Sequence, residues 1–299
     1  MTIRIGFIGL GNMGGRMARR LVDAEHNVLG YDPAPDAARK AGAQVASSIR
    51  EVVAGSDHIL LSLPDSHVVE SVVLGEGGVL ESAHAGQIVV DLSTAAPAST
   101  QMLHARLRQI GIELVDAGIS GGAAAAERGS LTLMVGGSEE ALAQLRPTLE
   151  PLASKVFRMG GPGAGHSTKL LNNFLNAVNL AASSEVMVAA KKEGLDVEQV
   201  LEVINASSGA NWATQNRFPS IVRGDYLEGG LTSQLMMKDV VLYLEHLLAI
   251  GAPSLNSAGP LSSFGLAIHR GYGDVISNRV VDAIGDLAGG VRLHTDPPP

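Results

Sequence analysis

The sequence predicts an α/β chain: an amino-terminal doubly wound, mostly parallel sheet followed by an all-helical carboxyl-terminal region. Three observations lead there. Short continuous apolar runs alternate with helical stretches through the first half of the 299 residues. The turn after the first run reads Gly-Leu-Gly-Asn-Met-Gly at residues 9–14. Beyond about residue 163 no strand period returns. Apolar runs separated by helices of about 10 to 15 residues are the pattern of strands buried on both faces of a parallel sheet.

The first run, Ile3-Arg4-Ile5-Gly6-Phe7-Ile8, leads straight into Gly9, Leu10, Gly11, Asn12, Met13 and Gly14. Gly9 allows a tight turn. Gly11 removes the side chain where a backbone must approach phosphates, and Gly14 lets the next helix pack closely on the strand, its free N–H groups facing an anion. Met13, Met17, Ala18, Leu21 and Val22 recur at helical spacing. A second strand, Asn27–Tyr31, ends at Asp32, 23 residues after Gly9 and close to the spacing of about 20 at which a carboxylate meets the adenosine ribose hydroxyls. This is a Rossmann-type pattern, and it predicts a bound dinucleotide. A carboxylate accepts from the 2′-hydroxyl of NAD but repels a 2′-phosphate. Pro33, Ala34 and Pro35 supply no cation or hydroxyl, and Arg39 and Lys40 fall on a helix expected from Asp36, where they face water. NAD is therefore expected over NADP.

Further strands are expected at His58–Leu63, closed by Pro64, at Gln87–Leu92, ending in Ser93-Thr94, at Ile112–Ala117, at Ser130–Gly137 and at Lys155–Met159. Ligands of such sheets sit outside the carboxyl ends of the strands. Those ends are Gly9, Asp32, Leu63-Pro64, Ser93-Thr94 and Ala117-Gly118. From about Ser167 to Lys192 runs an unbroken helical stretch, roughly 40 Å long at 1.5 Å per residue, and helical signals continue through Val197–Ala206, Leu235–Ile250, Pro260–Gly271 and Ser277–Leu287. The expected domains are 1–162 (nucleotide-binding), 163–295 (helical, for substrate and oligomerisation) and a disordered tail at 296–299. The long apolar-rich helix predicts a homodimer or homotetramer built through the second domain.

Composition narrows the function. A net charge of −8 and the lack of a basic stripe argue against a nucleic-acid partner. Arg16, Arg19 and Arg20 are the one tight basic cluster, expected on the solvent side of the first helix. There is no cysteine, so thiol chemistry and cysteine-ligated zinc are excluded, and no metal site is expected. No apolar stretch approaches the roughly 18 residues of a membrane span, and the first strand begins by Ile3, which leaves no room for a signal peptide. A cytoplasmic protein is expected.

Two segments carry candidate chemistry. Asp116-Ala117-Gly118-Ile119-Ser120-Gly121-Gly122 exposes a hydroxyl beside two glycines whose N–H groups can hold a carboxylate; it reads equally as a flexible turn. Gly160–Gly165 then launches the long helix bearing Lys169, Asn172 and Asn173. Positions i, i+3 and i+4 share one face, and three polar groups there imply a polar cleft. A lysine can give a proton to a developing alkoxide and take it back during alcohol oxidation, and burial favours its neutral form. A surface lysine with capping amides is the competing reading from spacing alone. Met236-Met237-Lys238-Asp239 is, by itself, an ordinary charged pair.

Taken together and in this order, the segments resemble the β-hydroxyacid dehydrogenase family over nearly the whole chain. Residues 9–14 match its cofactor motif. Asp116–Gly122 is similar to its substrate motif, usually Asp-Ala-Pro-Val-Ser-Gly-Gly. Gly163-Ala-Gly-His-Ser-Thr-Lys-Leu-Leu-Asn-Asn173 looks like its catalytic motif, and Lys238-Asp239 like its carboxyl-terminal cofactor contact. The resemblance implies that Lys169 is catalytic with Asn173 assisting, and that Ser120, Gly121, Gly122 and Asn173 bind the substrate. It also implies that Leu63, Pro64, Thr94 and Lys238 line NAD, and that a short 3-hydroxy carboxylate is interconverted with its semialdehyde or ketone. Gly118 and Ile119 depart from the usual proline and valine, Ala123–Arg128 lacks a glycine-alanine pair, and His166 stands where an amide is frequent; these put the substrate's identity in doubt. Trp212, the one tryptophan, either walls the pocket or packs the helical domain. Two alternatives are weighed. Imine reductases of similar fold replace the lysine, which Lys169 speaks against. A non-catalytic nucleotide-binding module predicts loss of the lysine or an added basic segment, and neither is seen.

Overall fold

The computed structural model describes residues 3–34 and 36–294; the tail expected to be disordered, 296–299, and Pro35 lie outside them. The chain divides into two compact units, Met1–Lys169 and Leu170–Pro299.

The first unit is built on eight strands, β1 (Arg4–Ile8), β2 (Asn27–Tyr31), β3 (Gln44–Val45), β4 (His58–Leu61), β5 (Ile88–Asp91), β6 (Glu113–Ser120), β7 (Leu131–Gly136) and β8 (Ala153–Gly160). Their order is β3-β2-β1-β4-β5-β6-β7-β8, so the chain winds one way from β1 and returns the other way through β4. The carboxyl ends of β1 and β4 flank the resulting switch point, where such sheets bind ligands. Side chains alternate between two cores, as a strand covered on both faces requires. Phe7, Leu60, Val90 and Val115 point into one, and Ile8, Leu61, Val89 and Leu114 into the other.

Three details depart from the sequence expectation. β3 is two exposed residues long and carries no apolar run. β6 does not stop at Ala117. It pairs in parallel with β5 as far as Asp91↔Asp116, then antiparallel with β7 from Asp116↔Gly136 to Ser120↔Thr132, so Ser120 lies at a strand terminus and the turn begins at Gly121. The arginines of the first helix, Gly14–Asp23, are not uniformly solvated. Met17, Ala18 and Leu21 form its buried stripe and Arg19 is exposed, but Arg16 and Arg20 are half-buried. Arg16 pairs with Glu127 at 2.7 Å.

The second unit is helical. Val197–Asn205, Trp212–Asn216, Phe218–Ile221, Ser233–Ile250, Ala258–Ala267 and Val280–Leu287 close over Phe218, Met236, Val240, Phe264 and Val280. Its pairing among described residues is a single bridge, Thr232↔Ile276. The helix Ala164–Glu193 runs for 30 residues, and the division between units falls within it, after Lys169. No described helix is long and apolar enough to cross a membrane.

Candidate active site

The residues of the glycine turn separate into two kinds. Gly9 has φ +88°, and a Cβ there would stand 2.4 Å from the carbonyl oxygen of Ser62, while one on Gly14 would stand 2.0 Å from that of Gly9. These two are required by the protein's own packing. A Cβ on Gly11 would meet nothing within 4 Å, which leaves its backbone open to a ligand. The helix that follows has no side-chain cap at Met13, as suits an anion at its start. Asp32 accepts from the Leu10 N–H at 2.7 Å and the Ala34 N–H at 2.8 Å. Its carboxylate is thereby fixed beside the turn, and each oxygen keeps a further acceptor position. Leu63, Pro64 and Thr94 follow β4 and β5, and the two loops are joined by Leu63 N–H donating to Ser93 Oγ at 2.9 Å. This set fits a dinucleotide. Arg39 pairs with Asp36 at 3.0 Å and is well exposed, and Arg19 donates to the carbonyl of Lys40 at 2.6 Å.

At the end of β6 the backbone turns through Gly121 (φ +127°) and Gly122 (φ +68°), directly after half-buried Ser120. Both glycines sit where a side chain would be strained. Four residues earlier, fully buried Asp116 accepts from the N–H of Gly163 at 2.7 Å and from that of His166 at 2.8 Å. These N–H groups open the helix Ala164–Glu193, so the carboxylate meets both two charge-assisted hydrogen bonds and the positive end of the helix. His166 is itself fully buried, with Nδ1 2.7 Å from Thr100 Oγ1 and Nε2 4.0 Å from Asp91. The second separation is too long for a hydrogen bond.

Lys169 follows on the same helix, 9% exposed, which sets aside the reading of a surface lysine. Its stem lies on Gly118: a Cβ at 118 would be 2.6 Å from Lys169 Cβ and 3.2 Å from its Cγ. The glycine that stands in place of the family's proline is therefore where strand and helix touch. One turn on, buried Asn173 donates from Nδ2 to Asp239 at 2.5 Å. A carboxylate can only accept, so it fixes which end of the amide faces it; Oδ1 receives Asn172 Nδ2 at 3.3 Å. Asp239 is 1% exposed and its other oxygen lies 3.2 Å from Lys238 Nζ. The pair that looked ordinary in sequence thus ties Lys238 to Asn173. Trp212 begins a short helix and is more than half exposed, so it is not a core residue. Among the described residues no group of three or more His, Cys, Asp or Glu is placed to hold a metal.

Comparison with known proteins agrees in both halves. Residues 4–161 match the family described as the NAD binding domain of 6-phosphogluconate dehydrogenase, and residues 163–275 that described as the NAD-binding region of NADP-dependent 3-hydroxyisobutyrate dehydrogenase. The NAD-dependent L-serine dehydrogenase of Pseudomonas aeruginosa is 38% identical over 277 residues, 89% of this chain and 91% of that protein. The chain belongs to the β-hydroxyacid dehydrogenase family. Like its relatives it is an NAD(P)-dependent oxidoreductase of CH–OH groups. The 2-(hydroxymethyl)glutarate dehydrogenase of Eubacterium barkeri is 39% identical over 247 residues, 82% of each chain. A solved structure of Mycobacterium tuberculosis 3-hydroxyisobutyrate dehydrogenase with L-serine has a TM-score of 0.84 at 32% identity, covering 96% of this chain and 99% of that one. An imine reductase from a Pseudomonas species, at 22% identity and a TM-score of 0.62 over 95% of this chain and all of that one, shares the fold alone.

Sequence reasoning named Asp239 only within the Lys238-Asp239 motif and did not foresee its bond to Asn173, nor Thr100 or the buried side of Asp116. The partners of Asp239 and Asp116 stand 66 and 47 residues away, and no local pattern marks such pairs. The Gly118 contact yields a direct test. Gly118→Ala places a methyl against the Lys169 stem, so strand and helix must separate. We expect a loss of about 1 to 3 kcal/mol, as for other overpacked sites, read by thermal denaturation, together with a fall in kcat. Wild-type stability and turnover in this variant would show that the contact constrains nothing.

Proposed function

We propose that this enzyme oxidises the C3 hydroxyl of a short 3-hydroxy carboxylate to the semialdehyde, and runs the reverse reduction, with Lys169 as the general acid–base. The observation that carries the reading is the buried Lys169, seated on Gly118 and on a helix whose first turn is clamped by Asp116. The relatives point to the same chemistry. L-serine, 3-hydroxyisobutyrate and 2-(hydroxymethyl)glutarate, the compounds in their names, are all 3-hydroxypropanoates differing only in the C2 substituent.

Each residue has one task. Ser120, Gly121 and Gly122 hold the substrate carboxylate, which sets the position of C3. Asn173, oriented by Asp239, hydrogen-bonds the C3 hydroxyl. Lys169 in its neutral form takes the hydroxyl proton during oxidation, and in reduction the ammonium returns it to the carbonyl oxygen. NAD, when bound, supplies the acceptor for the hydride leaving C3. Gly9–Gly14 and Asp32 hold its pyrophosphate and adenosine ribose, and Leu63, Pro64, Thr94 and Lys238 line it. Imine reduction is not favoured, because Lys169 is present and the structural likeness there extends only to the fold.

Lys169→Ala is expected to lower kcat by about 10²-fold or more, the range for loss of a general acid–base, while calorimetric NAD binding changes little. Lys169→Arg should rescue poorly, since a guanidinium does not deprotonate near neutrality, and Asn173→Ala should be the milder lesion. Near-normal turnover in Lys169→Ala would refute the mechanism.

Asp32 supports NAD as the preferred cofactor, so kcat/KM should be higher with NAD than with NADP. Asp32→Ala combined with a basic residue nearby should move the preference towards NADP. A wild-type preference for NADP under matched conditions would overturn that assignment.

We further infer a homodimer or homotetramer assembled through the helical unit. Its surface carries Leu171, Leu175, Val186, Leu248, Ile250 and Leu255 as exposed apolar side chains, more than scattered surface leucines require. Light scattering at micromolar concentration should return two or four times the 30.9 kDa chain mass; a monomeric mass contradicts it.

A further inference from the structure

Arg217 has a surrounding that no other half-buried arginine of the helical unit shares. Arg279 pairs with Asp282 and Glu228, and Arg292 with Asp282 and Asp286. Arg217, at the joint between helices Trp212–Asn216 and Phe218–Ile221, meets only neutral oxygens. Nη1 donates to Asn278 Oδ1 at 2.7 Å and Ser277 Oγ at 3.5 Å, and Nη2 to Asn176 Oδ1 at 3.1 Å. Among the described residues no carboxylate forms an ion pair with it. Its guanidinium lies 5.1 Å from the centre of the Trp212 ring, and burial without a countercharge brings its pKa down to about 10. Keeping a cation from water in neutral company is costly. The oxygens that hold it are themselves fixed: Ser277 and Asn278 are buried, and Asn278 Nδ2 donates to the carbonyl of Tyr226 at 2.8 Å.

The helix Ala164–Glu193 brings this cation near Asn173. Asn176 stands three residues beyond Asn173, a rise of about 4.5 Å along one side of that helix. The amide that faces the substrate hydroxyl and the amide that holds Arg217 are thus neighbours. Nη1 and Nη2 are engaged by Asn278, Ser277 and Asn176, and no bond from Nε is seen among the described residues, so Nε–H is left for the charge-assisted hydrogen bond that arginine makes to a carboxylate oxygen.

We propose that Arg217 is a specificity-determining subsite for a second anionic group, carried on the C2 substituent of the 3-hydroxy acid. The proposal rests on the reaction assigned above and narrows it. A substituent of one or two methylenes ending in a carboxylate spans the interval from Asn173 to Asn176. A methyl substituent leaves the guanidinium uncompensated, and an ammonium substituent is repelled by it.

The test compares kcat/KM for 2-(hydroxymethyl)succinate and 2-(hydroxymethyl)glutarate with that for 3-hydroxyisobutyrate and L-serine, with NAD at saturation. The wild-type enzyme should favour the better diacid over 3-hydroxyisobutyrate by about 10- to 100-fold, the range for a charge-assisted hydrogen-bonded contact, with L-serine poorest. Arg217→Gln should lose about 10- to 100-fold more on the diacids than on 3-hydroxyisobutyrate, chiefly in KM, and Arg217→Lys should recover part of the difference. Because Trp212 is the one tryptophan, its emission reports the subsite without turnover. Titration with 2-(hydroxymethyl)glutarate should change it in the wild type and not in Arg217→Gln. A wild type that turns over diacids no better than 3-hydroxyisobutyrate overturns the subsite, as does an equal loss on all substrates in Arg217→Gln, which marks a structural clamp. Should that variant fail to fold, the wild-type ratio alone decides. If none of the four acids is oxidised, the reaction assignment fails, and an Arg217-dependent fluorescence change with the diacid would still stand for the subsite.

Discussion

The first unit depends on one buried carboxylate. Asp116 sits at 0% exposure in the centre of the sheet, where a charge is tolerated only if fully hydrogen-bonded. The N–H groups of Gly163 and His166 meet that demand, and in doing so they fix where the helix Ala164–Glu193 begins. The surrounding glycines are consequences of the same contact. A Cβ on Gly136 would come within 2.4 Å of one Asp116 oxygen, and a Cβ on Gly165 within 2.9 Å of the other. With the helix start set, the lysine one turn further on has its depth defined by Gly118. Its stem is thereby placed by the backbone hydrogen bonds at the helix start together with the Gly118 contact.

A clamp of this kind is stronger than a cap on an exposed helix, because the cost of breaking it is the desolvation of a carboxylate left without donors. His166 adds to it from the side chain, through Thr100 on the helix Pro97–Arg108. The departure from the family's usual residue at 166 is therefore accommodated inside the core, facing Thr100 and Asp91.

The legible part of this protein was the part written in consecutive residues. The glycine turn, the strand that ends at Asp32, and the order of substrate and catalytic motifs are all local patterns. Each glycine's reason to exist lies within a few residues or in one neighbouring strand end. Asp239 was not legible. Its meaning depends on Asn173, which reaches it only when two distant helices pack, and in sequence it is one acid beside one lysine. β3 escaped notice because two exposed residues carry no period. The end of β6 was misplaced because Gly118 reads as a breaker, whereas here the missing side chain makes room for Lys169 while the backbone continues to pair with β7. Trp212 stayed undecided in sequence because the same indole serves a core or a wall; its exposure removes the first.

The two halves of the proposed site follow different physical rules. Proton transfer needs a group whose position is fixed within tenths of an ångström, and Lys169 gains that from a buried carboxylate, a glycine contact and a continuous helix. Substrate choice needs a group whose interaction is incomplete until the right ligand arrives, because a fully paired group cannot discriminate. Asp239 and Asp116 are paired and so serve geometry. Arg217 is held by amides and a hydroxyl, which orient a guanidinium without neutralising it, as the proposed recognition role requires. A family that varies its C2 substituent while keeping one reaction would be expected to preserve the first kind of contact and alter the second. In the proposed subsite, the neutral oxygens around Arg217 would let that one residue alter specificity while the contacts that fix Lys169, those of Asp116 and Gly118, stay as they are.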